Sequence, residues 1–120
     1  MECDVRYDAE TETIVLKVTG DVEVEAVKQA APAVTALIRE HRCRRMLTDM
    51  RGAAFRLDTF QIYRMPETMA QAGIGSLRRA MVFSRDLEDA KFYETVTANR
   101  AQFMKVFTDM DEARRWLASE

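Results

Sequence analysis

The stretch Met46–Ile62, MLTDMRGAAFRLDTFQI, holds the transition on which the fold turns. An apolar run ends at Asp49, Arg51 and Gly52 follow, and Asp58 with Thr59 precedes a second apolar pattern. RMLTDM reads as a β-strand. Asp58 and Gln61 have the spacing of a capping box, and Leu57 and Ile62 that of a hydrophobic staple, so a helix begins there. Between strand and helix lies a loop, Arg51–Arg56. One strand, one connection and one capped helix make a single βα unit.

The same unit recurs on both sides. Upstream, CDVRY alternates, DAETET is a polar turn, and TIVLKVTG is β-rich up to Gly20, which predicts an antiparallel hairpin. Asp21 is placed to cap a helix with Glu23 and Glu25 in its first turn. Val24, Val27, Ala31, Val34 and Ile38 form its apolar stripe. Pro32 lies in that stripe and is expected to kink or split the helix. Downstream, Pro66 predicts a bend and Gly73 a stop in the second helix. RRAMVFS is a fourth strand. Asp86 opens a third helix with Ala90, Tyr93 and either Val96 or Thr97 inward and Asn99 near its end. FMKVFT is a fifth strand, and Asp109 with Glu112 is another capping box ahead of Met110, Ala113, Trp116 and Leu117. The order β-β-α-β-α-β-α-β-α predicts an α/β fold with a five-stranded mixed sheet, its first strand added antiparallel.

The chain has 120 residues, the size of one domain, with 48% hydrophobic and 32% charged residues and a net charge of -2. Such a chain buries a core without staples and has no bulk attraction to nucleic acid or an anionic membrane. No apolar run is long enough to span a bilayer, and MECDVRYDAE is unlike a signal peptide. Cys3 and Cys43 make no disulfide framework, so a soluble cytoplasmic protein with reduced thiols is expected. The eight methionines are read as core filler.

In a sheet of this kind ligands sit at the carboxyl ends of the strands. Asp21, Asp49, Asp58, Asp86 and Asp109 are expected at that rim. Together they offer oxygens to a hard cation, although four of them are explained as helix caps. Asp49 is the exception, since it ends a strand without opening a helix. TDMRG lacks the paired acids and the Lys-Pro that a phosphoacceptor receiver needs. REHRCRR surrounds Cys43 with cations that favour a thiolate, and equally complements a helix C-terminus. His41 is the single histidine, and one His with two separated Cys leaves no zinc spacing. AGIGS lacks the Lys of a phosphate loop.

The element order, the mid-helix Pro32, RRMLTDMRG, RRAMVFS and the ending MKVFTDMDEARRWL together resemble the small bacterial SpoIIAA-like proteins of the STAS/SEC14 type. The resemblance covers nearly the whole chain and implies a single STAS domain over residues 1–120. Related anti-sigma factor antagonists carry Asp-Ser-Ser-Gly at the start of the helix after the third strand, and a partner kinase phosphorylates the first Ser. The matching place here is Asp58-Thr59, followed by Phe60 and Gln61 instead of Ser and Gly. The implied role is a non-enzymatic interaction or regulatory module without cofactor or metal, binding a protein partner through Asp49, Arg51, Asp58 and Thr59. A homodimer is also expected, through an apolar helix face or the first strand. Two other readings stand beside it. One is a small-molecule or lipid binder, motivated by Phe60, Tyr63, Met65 and Met69, although a chain this short leaves little room for a lipid. The other is a metal-assisted enzyme at the acidic rim.

Overall fold

The computed structural model describes residues 1–119. They form β1 (Glu2–Asp8), β2 (Thr13–Val22), α1 (Val24–His41), β3 (Arg45–Phe55), α2 (Thr59–Gln71), β4 (Arg78–Val82), α3 (Glu88–Ala98), β5 (Met104–Phe107) and α4 (Met110–Ala118). The strands lie side by side in chain order in a mixed five-stranded sheet. β1 is antiparallel to β2, and β2, β3, β4 and β5 are parallel. Among the described residues no helix is long and apolar enough to cross a membrane.

Strand alternation divides the interior into two layers. On β3, Met46 and Met50 enter the larger core beneath α1, α2 and α3, while Leu47 enters a smaller one beneath α4. On β4, Phe83, just past the strand, joins the larger core, and Ala80 and Val82 the smaller. α4 closes the smaller core with Ala113 and Leu117, flanked by Met110 and Trp116. Arg78 clamps it. Its guanidinium lies 3.8 Å from the Trp116 ring centroid and donates to the Trp116 carbonyl at 2.8 Å. A cation at this end also complements the helix dipole.

The stripes read from the sequence are the faces that pack. Val34, Ala90, Tyr93, Val96 and Thr97 are buried, and Val24, Val27, Ala31 and Ile38 line the larger core. The capping box of α2 is complete: Asp58 accepts from the Gln61 N–H at 2.8 Å, and Gln61 Oε1 accepts from the Asp58 N–H at 2.9 Å. At its other end Gly73 has φ +78°, the Ile74 N–H reaches the Met69 carbonyl at 2.9 Å, and the Gly73 N–H reaches that of Ala70 at 3.1 Å. This left-handed closure is the stop expected of a glycine.

Four local expectations change. α1 runs unbroken through Pro32, which is exposed, so water is available where the proline removes a backbone bond. Asp21 and Asp86 are not caps: Glu23 and Leu87 occupy those positions, and neither side chain makes a capping bond. Asp109 caps α4 by accepting from the Asp111 and Glu112 N–H groups, so half of the expected box forms. The largest change is in β3, which continues to Phe55 through the expected loop. β2 shifts register between Lys17 and Thr19, then pairs Thr19 with Gly52, Gly20 with Ala53, Asp21 with Ala54 and Val22 with Phe55. Such a bulge lets two strands stay paired around a bend. Gly and Ala are weak strand formers, and here pairing and the packing of Phe55 against Phe83, centroids 5.8 Å apart, override propensity.

α4 is the cover of the smaller core, and Leu117 is 3% exposed within it. Leu117→Ala is expected to cost about 2–5 kcal/mol. The check is the midpoint of denaturant unfolding at an unchanged slope; a loss under about 1 kcal/mol would show that α4 contributes little.

Candidate functional site

The four residues singled out by sequence divide into two places. Asp49 and Arg51 sit two apart on β3, on the face that carries Leu47. Asp49 is therefore not at the carboxyl rim, because the strand continues six residues beyond it, to Phe55. Its carboxylate accepts from Arg51 Nε and an Arg51 terminal nitrogen, both at 2.9 Å, and from the Arg51 N–H at 3.1 Å. Hydrogen bonding to the Arg51 side chain, partly opposed by burial and reinforced by its backbone N–H and by Lys17 across the strand, holds the Asp49 carboxyl below the usual value. The pair lines a shallow groove of about 190 Å³ beside α4, with Asp4, Arg6, Lys17 and Arg114.

Asp58 and Thr59 lie outside that groove, at the start of α2. Asp58 is committed to its cap. Thr59 is exposed, and among the described residues its hydroxyl makes no hydrogen bond. One residue on, the helix displays two large apolar groups to solvent: Phe60 is 66% exposed and Tyr63 50%. Arg64 lies 5.8 Å from the Phe60 ring and Arg100 5.6 Å from that of Tyr63. The sequence grouped Phe60, Tyr63, Met65 and Met69 as one aromatic and methionine cluster. The helix separates them, with Met65 and Met69 buried and the two aromatics outside.

The remaining candidates resolve structurally. Cys43 is buried and its Sγ donates to the Arg45 carbonyl at 3.1 Å, with the Glu12 carbonyl at 3.4 Å, which describes a thiol packed into a corner. His41 stacks on Tyr7, centroids 3.7 Å apart and 2° from parallel. With Asp49 on a sheet face and Asp21 paired to Arg56 at 3.2 Å, the acidic rim is dispersed. Among the described residues no group of three His, Cys, Asp or Glu is placed to hold a metal ion.

One residue escaped the sequence reading. Arg79 follows Arg78 on β4 and so points to the opposite face, into the larger core, where it is 3% exposed. The signal was present in RRAMVFS: two consecutive arginines on a strand covered on both sides cannot both reach water.

Comparison with known proteins speaks to the fold. No family model and no curated protein matches the chain. Among solved structures it is similar to the anti-sigma factor antagonist SpoIIAA in its unphosphorylated form, at 13% identity and a TM-score of 0.63, covering 99% of this chain and 100% of that one. An uncharacterised protein of the DUF3478 family with a SpoIIAA-like fold, from Shewanella loihica PV-4, is 15% identical with a TM-score of 0.61, covering 97% and 92%. The phosphorylated form of the Bacillus cell fate determinant SpoIIAA is 14% identical with a TM-score of 0.59, covering 96% and 99%. The chain has the SpoIIAA-like STAS fold that its motifs resemble.

Because the folded-state pKa of Asp49 is depressed, its pairing with Arg51 stabilises the protein above the unfolded carboxylate value and is lost as pH falls through the folded one. The loss therefore falls below about pH 4. Asp49→Asn is expected to unfold less steeply than wild type between neutral pH and about pH 3, measured by thermal melts across that range. Parallel melting curves for the two proteins would remove the ion pair as a source of acid sensitivity.

Proposed function

We propose that the chain is a single-domain, non-enzymatic interaction module of the cytoplasm that docks a protein partner through the N-terminal half of α2. The observation that carries the reading is the exposure of Phe60 and Tyr63 one turn apart, beside the exposed Thr59. Large aromatics and arginines dominate the energetics of protein interfaces, and here Arg64 and Arg100 flank the two rings. SpoIIAA, to which the fold is similar, is described as an anti-sigma factor antagonist and occurs in unphosphorylated and phosphorylated forms. That description supports reading this chain as a regulatory module. Thr59 stands at the first position of α2, where added phosphate charge meets the favourable end of the helix dipole and the unfavourable carboxylate of Asp58. Asp49 and Arg51 form a second patch on another face, and their mutual pairing leaves them a lesser part in docking.

The test is capture from a lysate of the source cells by immobilised wild type, Phe60→Ala/Tyr63→Ala and Thr59→Glu, with identified partners then titrated. Both aromatics are exposed, so the double variant is expected to fold with wild-type stability to within about 1 kcal/mol. It is expected to bind the partner at least about tenfold more weakly. A partner that binds wild type and the double variant equally, or no partner at all, overturns the reading. Sedimentation of the two proteins distinguishes a second copy of this chain as the occupant, since a homodimer through α2 would dissociate in the double variant.

A further inference from the structure

Between the sheet and the helices α1 and α2 lies an apolar cavity of about 100 Å³. Seven of the chain's eight methionines line it: Met46, Met50, Met65, Met69, Met81 and Met104 inside, with Met1 beside Cys3 on β1. Met110, at the start of α4 and packed against the smaller core, is the exception. Into this apolar space comes one charge. Arg79 lines the cavity, buried between Met46 on one neighbouring strand and Met104 on the other. A guanidinium has five N–H donors. Among the described residues Arg79 makes no ion pair, and its side chain donates to Gln102 Oε1 at 2.6 Å. Among the same residues its Nε has no partner.

A buried cation without a counter-ion is among the costliest groups a fold retains, and interiors seldom keep one without pairing it. Gln102 holds the group in place rather than neutralising it: its Oε1 accepts from Arg79 and its Nε2 donates to the Pro66 carbonyl at 2.9 Å. Tyr93, also at the cavity wall, adds a phenol next to Arg79. Burial pushes that phenol up, against the opposing charge of Arg79 and hydrogen bonding from Arg79 and Thr97, so it stays neutral and adds no counter-charge.

We propose that this cavity binds a short-chain aliphatic monocarboxylate, its carboxylate taken by the Arg79 guanidinium and its chain lying among the methionines. A carboxylate matches the planar fork of arginine with two parallel bonds, and one negative charge balances the single cation. A phosphate dianion would bring more charge and more acceptors than one arginine in an apolar wall satisfies. The length follows from the volume. An apolar cavity of about 150 Å³ accommodates the six carbons of benzene, so about 100 Å³ suits about four or five non-hydrogen atoms, the size of acetate or propanoate, and excludes a lipid. Methionine walls fit such a chain because their unbranched side chains repack at little cost.

The experiment titrates propanoate into the full chain carrying ¹³C-labelled methionine methyls, with propanamide and propan-1-ol as neutral probes of the same length. Propanoate is expected to shift the methyls of Met46, Met65, Met69 and Met104 saturably and to leave Met110 in place. The neutral probes are expected to bind at least about tenfold more weakly, and Arg79→Met to weaken propanoate by a similar factor. The variant replaces a buried charge by an apolar group of similar length, and its fold is checked by circular dichroism. Neutral probes that bind as well as propanoate overturn the proposal whether or not the variant folds, since the cavity is then an apolar void alone. So does propanoate at millimolar concentration that leaves the cavity methyls unmoved.

Discussion

The structure depends on a sheet that has to satisfy two buried faces at once. A parallel strand covered on both sides has no solvent face, so every residue along it is answerable to one layer or the other. β4 shows the constraint in its sharpest form. Its five residues, Arg78–Val82, send Ala80 and Val82 towards α4 and Met81 towards the other helices. The same alternation sends its two arginines apart. Arg78 lies at the margin, where it reaches over the Trp116 ring and holds α4 down. Arg79 has no margin to reach, and its charge stays inside.

That division also explains why the molecule presents chemistry in separate places. The face beneath α4 is small, and beyond its edge the sheet shows charge: Asp4, Lys17, Asp49 and Arg51 lie across three neighbouring strands. The opposite layer is thick and apolar, and its outer surface is the solvent side of the helices. There α2 exposes Phe60 and Tyr63 while its inner side supplies Ile62, Met65 and Met69 to the core. A helix that is apolar on its inner stripe and aromatic at two outer positions has more apolar surface than the fold needs.

Much of this was legible in the chain itself. The strand and helix order, the inward stripes of α1, α3 and α4, the capping box at Asp58 and the stop at Gly73 all follow from periodicity and local hydrogen bonding, and the SpoIIAA-like fold follows from the motifs. What was hidden depended on partners distant in sequence. Gly52, Ala53 and Ala54 have little intrinsic preference for a strand, and they pair with β2 beyond a bulge in β3, where Met50 and Arg51 stand against Val18 alone. That pairing moved Asp49 from an expected edge to a sheet face and left Asp58 and Thr59 in different company. Arg79 was hidden differently. Its sequence neighbour is also an arginine, and charge runs are ordinarily solvated, so only the two-residue period distinguishes the inner from the outer one.

Gln102 touches both of the places described above. One end of its amide accepts from Arg79 and the other donates to Pro66, in the middle of α2. Its position is fixed from behind by the tight turn after α3, where Ala101 adopts φ +59°. The same side chain thus connects the buried guanidinium to the backbone of α2, one turn from the exposed Tyr63. Any coupling carried by such a link is reciprocal: if filling the interior changed the affinity of the surface by some factor, occupying the surface would change the affinity of the interior by the same factor. A single glutamine spans from the interior of the molecule to the helix that carries Phe60 and Tyr63.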